Sequence, residues 1–231
     1  MLSAYSPDDI EALLLSLRIS SVAVACALPF AVATAFLLAR GRFPGKTIFN
    51  GLVHLPLVLP PVVVGYLLLI GFGTRGPFGA FLLNTFGIRF IFSWTGAALA
   101  SAIVTFPFQV RAIRLALDAV DKGLDQAAET LGASAFDRFF SITLPLAMPG
   151  LIAGAITAFA ASLGEFGAII TFVSNIPGET RTIPLAIYSA IQSPGGEATA
   201  ARLAILSILL AFAGLLLSEI AARHVRRVTG Q

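Results

Sequence analysis

Charged residues in this 231-residue chain fall between long apolar runs rather than within them. Four stretches hold no Asp, Glu, Lys or Arg: Ile19 to Ala39, Thr47 to Thr74, Phe90 to Val110 and Phe139 to Gly164. A helix needs about 20 mainly apolar residues to cross a bilayer, so each run is long enough to span. A fifth, Leu203 to Ser218, reaches that length when Arg202 and Glu219 lie at its ends and snorkel to the interface. Two shorter apolar pieces, Phe166 to Pro177 and Thr182 to Ser193, are too short to cross. They are expected at the interface or dipping part-way into the membrane. The pattern predicts an all-α integral membrane protein with five spans, organised as one transmembrane domain over residues 1–231.

Composition agrees with lipid as the solvent. Hydrophobic residues make up 57% of the chain and charged residues 12%, against about 25% charged in a soluble domain. The net charge of +3 gives no basic face for nucleic acid. One cysteine, Cys26, allows neither an internal disulfide nor a thiolate metal site, and His54 and His224 are far apart in sequence. The N-terminal flank carries Asp8, Asp9 and Glu11 and no cation, unlike the basic start of a signal peptide, so the first run is expected to be retained. With the N-terminus outside, ten cations face the cytoplasm: Arg40, Arg42, Lys46, Arg111, Arg114, Lys122, Arg138, Arg223, Arg226 and Arg227. Five face out: Arg18, Arg75, Arg89, Arg181 and Arg202. The positive-inside rule favours this topology, periplasmic N-terminus and cytoplasmic C-terminus, with Trp94 and Tyr188 near the outer interface.

The spans contain helix breakers. Pro29, Pro107, Pro145 and Pro149 lie in them, and the run Leu55 to Gly65 reads LPLVLPPVVVG. Proline removes a ladder hydrogen bond, and membranes accept this where a neighbour or a wet cavity meets the freed groups. Gly150 and Gly154 allow close helix approach. Tight packing accounts for most of these residues; Pro56, Pro60 and Pro61 are the candidates for a path lined by a broken helix. Ionisable groups are nearly absent from the spans, which argues against proton relays, ion coupling and a membrane enzyme. The loop from Gly41 to Thr47 resembles a phosphate-binding P-loop, but it has three residues between its glycines where the motif needs four. No other stretch offers a nucleotide site, so if ATP drives this protein another subunit is expected to bind it.

The segment from Leu115 to Phe140 is different. Leu117, Val120, Leu124, Ala128, Leu131 and Ala135 recur at helical spacing, with Asp118, Asp121, Lys122, Asp125 and Glu129 between them. Gly132 predicts a helix end, and Ser134 with Asp137 predicts the cap of a second short helix. Acidic residues suit an anionic inner leaflet poorly, so this cytoplasmic elbow is expected to meet a protein partner.

The same segment carries a family resemblance. Gln126-Ala127-Ala128-Glu129-Thr130-Leu131-Gly132, nine residues, then Ile142-Thr143-Leu144-Pro145 resembles the EAA loop of ABC importer permeases, departing only where Gln126 replaces Glu. His54 to Leu69 and Ser162 to Glu197 further resemble the molybdate permeases of that family. The resemblance implies a five-span, MetI-like importer core over about residues 13–217, with residues 115–140 as the coupling segment. It implies coupling residues Gln126, Ala127, Ala128, Glu129 and Gly132, a homodimer, a ModC-like ATPase dimer that holds ATP and Mg, and a ModA-like periplasmic binding protein. Tungstate and sulfate or thiosulfate are the alternative cargoes. For a dianion, a path of hydroxyls and helix N-termini releases cargo better than a cationic pore. Ser162, Thr171 and Ser174 are expected near that path with Pro60 and Pro61. Glu165 has three readings: a helix cap, a partner of Arg181, or a gate element.

Overall fold

The computed structural model describes residues 6–229, apart from the side chains of residue 215 and residues 217–229. Among the described residues every regular element is a helix. Helix α1 (Pro7–Arg40) begins well before the apolar run because Ser6 and Asp9 cap each other, Asp9 N–H to Ser6 Oγ at 3.2 Å and Ser6 N–H to Asp9 Oδ2 at 3.0 Å. This capping box meets two of the otherwise orphaned amides at the helix start. Along α1, Ala23, Ala27, Ala31 and Ala35 recur every fourth residue and are all buried. They form a small-residue stripe against α5 (Trp94–Ala119).

Helices α1 and α5 run parallel and are pinned at both ends. The Arg18 guanidinium lies 3.7 Å from the Trp94 ring centroid. At the other end Arg40 Nη2 donates to the carbonyls of Leu117 (3.3 Å) and Val120 (3.5 Å), closing the C-terminus of α5. Helix α8 (Leu144–Leu163) packs antiparallel on α5. A Cβ on Gly150 would come within 2.3 Å of the Ala116 Cβ, and one on Gly154 within 3.2 Å of the Gln109 Cα, so these positions are small because two backbones nearly touch.

The second expected span is broken at the prolines that were the candidates for a broken helix. Lys46–His54 (α2) and Leu55–Leu57, a turn of 3-10 helix, form one arm and Pro61–Phe72 (α3) the other, bent by 108°. Pro60, preceding Pro61, is driven into extended backbone (φ −54°, ψ 133°), and Pro61 opens the new helix where a missing N–H costs nothing. Thr47 to Thr74 is thus not one straight helix. Four described helices are long and apolar enough to cross: α1, α5, the continuous unit Ala135–Leu163 that ends in α8, and Glu197–Gly214 of α11 (Glu197–Thr229).

Short helices fill the remainder: α4 (Pro77–Phe86), α6 (Lys122–Thr130), α7 (Ala135–Arg138), α9 (Gly167–Val173) and α10 (Ile183–Ile191). The last two cover the pieces judged too short to cross. Basic residues collect at one end of the bundle. There Lys46 Nζ donates to Gly41 O (3.0 Å) and Arg114 Nη1 to Asn50 Oδ1 (2.9 Å). At the opposite end Arg202 pairs with the buried Asp9 at 3.6 Å and ties α11 to α1.

Candidate coupling segment and path

At the basic end the elbow is built by caps. Asp121 Oδ1 accepts the Gly123 N–H (2.8 Å) and starts α6 there, so Leu117 and Val120 belong to the buried end of α5. The helical stripe read from the sequence is therefore split between two helices. Helix α6 closes with Gly132 N–H on Glu129 O (3.0 Å) and Ala133 N–H on Ala128 O (3.0 Å). Gly132 has φ +84°, a left-handed conformation that only glycine adopts without strain. Ser134 Oγ accepts the Asp137 N–H (3.2 Å), as expected of a cap, whereas the Asp137 carboxylate accepts from Ser141 Oγ (3.0 Å) instead of reaching back.

The two faces of α6 differ. Asp125 and Glu129, four residues apart, both meet Arg138 of α7, at 3.4 Å and 3.2 Å. Leu124, Gln126, Ala127 and Leu131 are exposed, Leu131 at 88%, and Ala128 is half-buried. Beyond Arg138 the chain widens into a π-helix, Phe139–Thr143, closed by Leu144 N–H on Phe139 O. Pro145 explains the bulge, because it has no N–H to offer the carbonyl of Ser141. The Phe139 ring packs edge-on against Phe36 of α1, with centroids 5.0 Å apart.

The residues read as a path separate into two groups. Helices α3 and α9 pack parallel at very short range: a Cβ on Gly65 would lie 2.6 Å from Ala168 O and 2.8 Å from the Thr171 Cβ. A Cβ on Gly167 would lie 2.9 Å from the Pro61 Cβ, so the starts of both helices sit side by side. Glu165 belongs to this junction. It is buried, and its Oε1 accepts the Ala168 N–H at 2.8 Å, capping α9. Arg181 is engaged elsewhere, donating from Nε to Asn175 Oδ1 (3.1 Å), so the capping reading of Glu165 stands over the ion pair. Thr171 Oγ1 donates to its own helix at Gly167 O (2.7 Å). Pro60 and Pro61 are exposed at the bend.

Ser162 and Ser174 bracket α9. Ser162 is buried on α8, its carbonyl accepts the Glu165 N–H (3.1 Å), and its hydroxyl has no partner among the described residues. Ser174 ends α9 at φ +66°, exposed, with its carbonyl accepting Thr180 Oγ1 (3.0 Å). His54 Nδ1 lies 2.9 Å from Asn50 O, a local structural contact. Three features escaped the sequence reading. Arg138 was counted only as a topology charge. Ser16 Oγ accepts the Ile183 N–H (2.8 Å) and so caps α10 from a distant helix. Gln109 is fully buried with both amide atoms unpartnered. A cation ending the helix after an acidic i, i+4 pair was the available signal for Arg138; the other two depend on tertiary contacts.

Among the described residues, four helices long and apolar enough to cross, one bent pair and a charged elbow are the architecture of an integral membrane protein. Residues 27–227 match the binding-protein-dependent transport system inner membrane component family, and the chain belongs to it. Among its relatives is the molybdenum transport system permease protein ModB of Escherichia coli K12, 61% identical, with 96% of each chain covered. Its counterpart from Haemophilus influenzae is 55% identical over 96% of this chain and 97% of that protein. In fold, the chain superimposes on the crystal structure of a bacterial alginate ABC transporter bound to its periplasmic protein, with a TM-score of 0.75 and 20% identity, covering 97% of this chain and 80% of that one. The chain is thus an inner membrane transport component with the MetI-like permease fold.

Proposed function

We propose that this chain is the molybdate-translocating subunit of an ABC importer, working as a homodimer with a ModC-like ATPase dimer below and a ModA-like binding protein above. The observation that carries this reading is the likeness to molybdenum permeases along nearly the whole length of both chains. In this reading the bent pair counts as the fifth crossing, the N-terminus is periplasmic and the basic end is cytoplasmic. ATP and Mg are held by the partner. This chain supplies the path and the docking elbow, whose outward residues Gln126, Ala127, Leu131 and Gly132 are available to the ATPase. The junction of α3 and α9, with Pro60, Pro61, Glu165 and Thr171, forms the gate region, and Ser162 and Ser174 flank it.

Reconstitution tests this. Liposomes holding the chain, its ATPase and a molybdate-loaded binding protein are expected to accumulate molybdate only with ATP. Tungstate is expected to compete and sulfate to compete weakly. Uphill uptake by the chain without the ATPase would contradict the assignment, and sulfate uptake at the molybdate rate would move the cargo to the sulfate alternative.

A further inference from the structure

Helix α6 has no buried residue. A helix of nine residues is too short to be stable in water by itself, and this one has no apolar seam to hold it. Its ends are tied by the Asp121 turn and the Gly132 bend, both of which can hinge. Its inner face meets α7 and the π segment, and both of its ion pairs run to one guanidinium. Arg138, whose side chain is only 15% exposed, lies within ion-pair distance of both Asp125 and Glu129, while its buried Nε makes no hydrogen bond among the described residues. Two carboxylates four apart on one helix repel each other, and a planar cation between them turns that repulsion into a two-point attachment. Arg138 is also the last residue of α7, directly before the π segment that leads into α8, and the next ring, Phe139, rests on Phe36 of α1. The attachment therefore joins the elbow to two membrane helices at once.

We propose that Arg138 is a positioning residue that fastens α6 to the base of α8, so that a push on the elbow's outer face moves the membrane helices instead of tilting α6 alone. This inference rests on the coupling role proposed above. It assigns Asp125 and Glu129 to internal fastening, leaving contact with the motor to the opposite face. Without the fastening, the ATPase still finds its docking face, but its stroke is dissipated at the Asp121 and Gly132 hinges.

The test uses the reconstituted importer with Arg138→Gln, Asp125→Asn and the two combined. Molybdate taken up per ATP hydrolysed is expected to fall about threefold in Arg138→Gln, by less in Asp125→Asn, which keeps the Glu129 pair, and in the double no further than in Arg138→Gln, as for partners in one interaction. Binding of the ATPase to the permease is expected to stay within about twofold of the original, since rim contacts are untouched. Arg138→Lys, which keeps the charge without the fork, is expected to recover part of the yield. Hydrogen exchange on the purified permease provides a readout independent of transport: α6 amides are expected to exchange about tenfold faster in Arg138→Gln. Unaltered exchange in α6 overturns the fastening itself. Unaltered yield per ATP, or a loss that only tracks weakened ATPase binding, overturns its role in transmission. If Arg138→Gln fails to accumulate, Asp125→Asn combined with Glu129→Gln, which removes both pairs, decides by the same measures. Absence of ATP-driven uptake in the unsubstituted importer counts against the proposed function, and the exchange result then still decides whether the fastening exists.

Discussion

The elbow at the basic end and the α3–α9 junction solve the same problem, holding short helices in place, with opposite chemistry. Helix α6 is fixed by caps and by ion pairs to Arg138, all at least partly in water. Helix α9 is fixed by the absence of side chains, Gly65 and Gly167 letting α3 approach until backbones touch, and by one buried carboxylate on its N-terminus. Exposed ion pairs contribute roughly 0.2–1 kcal/mol each and can be remade, whereas close packing tolerates no extra atom. The elbow is held by polar contacts, and the junction by close packing.

Substitutions at three positions sharpen this contrast. The largest effect is expected from Gly65→Leu, whose first added carbon meets Ala168 O at 2.6 Å. Overpacking of that kind costs about 1–3 kcal/mol or more, so the variant should melt well below the original in detergent or fail to accumulate. A melting curve that overlays the original would show that the junction has slack. Next is Glu165. Glu165→Ala removes the cap on α9 and should cost about 0.5–2 kcal/mol, while Glu165→Gln keeps an acceptor and should retain most of that stability. Equal losses in a thermal-shift assay would mean that the charge matters and the cap does not. The smallest effect is expected at the elbow, where Ser134→Ala removes an exposed cap worth about 0.5–1 kcal/mol. Faster hydrogen exchange confined to residues 135–138, with no change in α9, is the expected signature.

Periodicity and span length made much of this visible beforehand. The runs behind α1, α5, α8 and α11 needed only the absence of charge over a bilayer's width, and Gly132 and Ser134 announced the elbow's bend. In the second run the prolines mark the break, but the 108° angle between its two arms depends on tertiary packing that no spacing encodes. The stripe from Leu117 to Ala135 did mislead. Spacing shows that apolar residues share a face, but not that one helix carries them, and the Asp121 cap divides them. Leu131, read as part of that face, is nearly fully exposed. The partner of Glu165 was one of several open choices because a capping amide three residues ahead and a guanidinium in a later loop look alike in sequence.

The bend after Leu57 has a consequence for what this polypeptide can be in isolation. The donors that would complete the ladder at the carbonyls of Pro56 and Leu57 are the ring nitrogens of Pro60 and Pro61, which carry no hydrogen. Hydrocarbon cannot compensate such oxygens, yet the residues around them stand open, Val58 at 82%. In a single copy this corner therefore leaves two carbonyls without their ladder donors, beside residues that no other part of the chain covers.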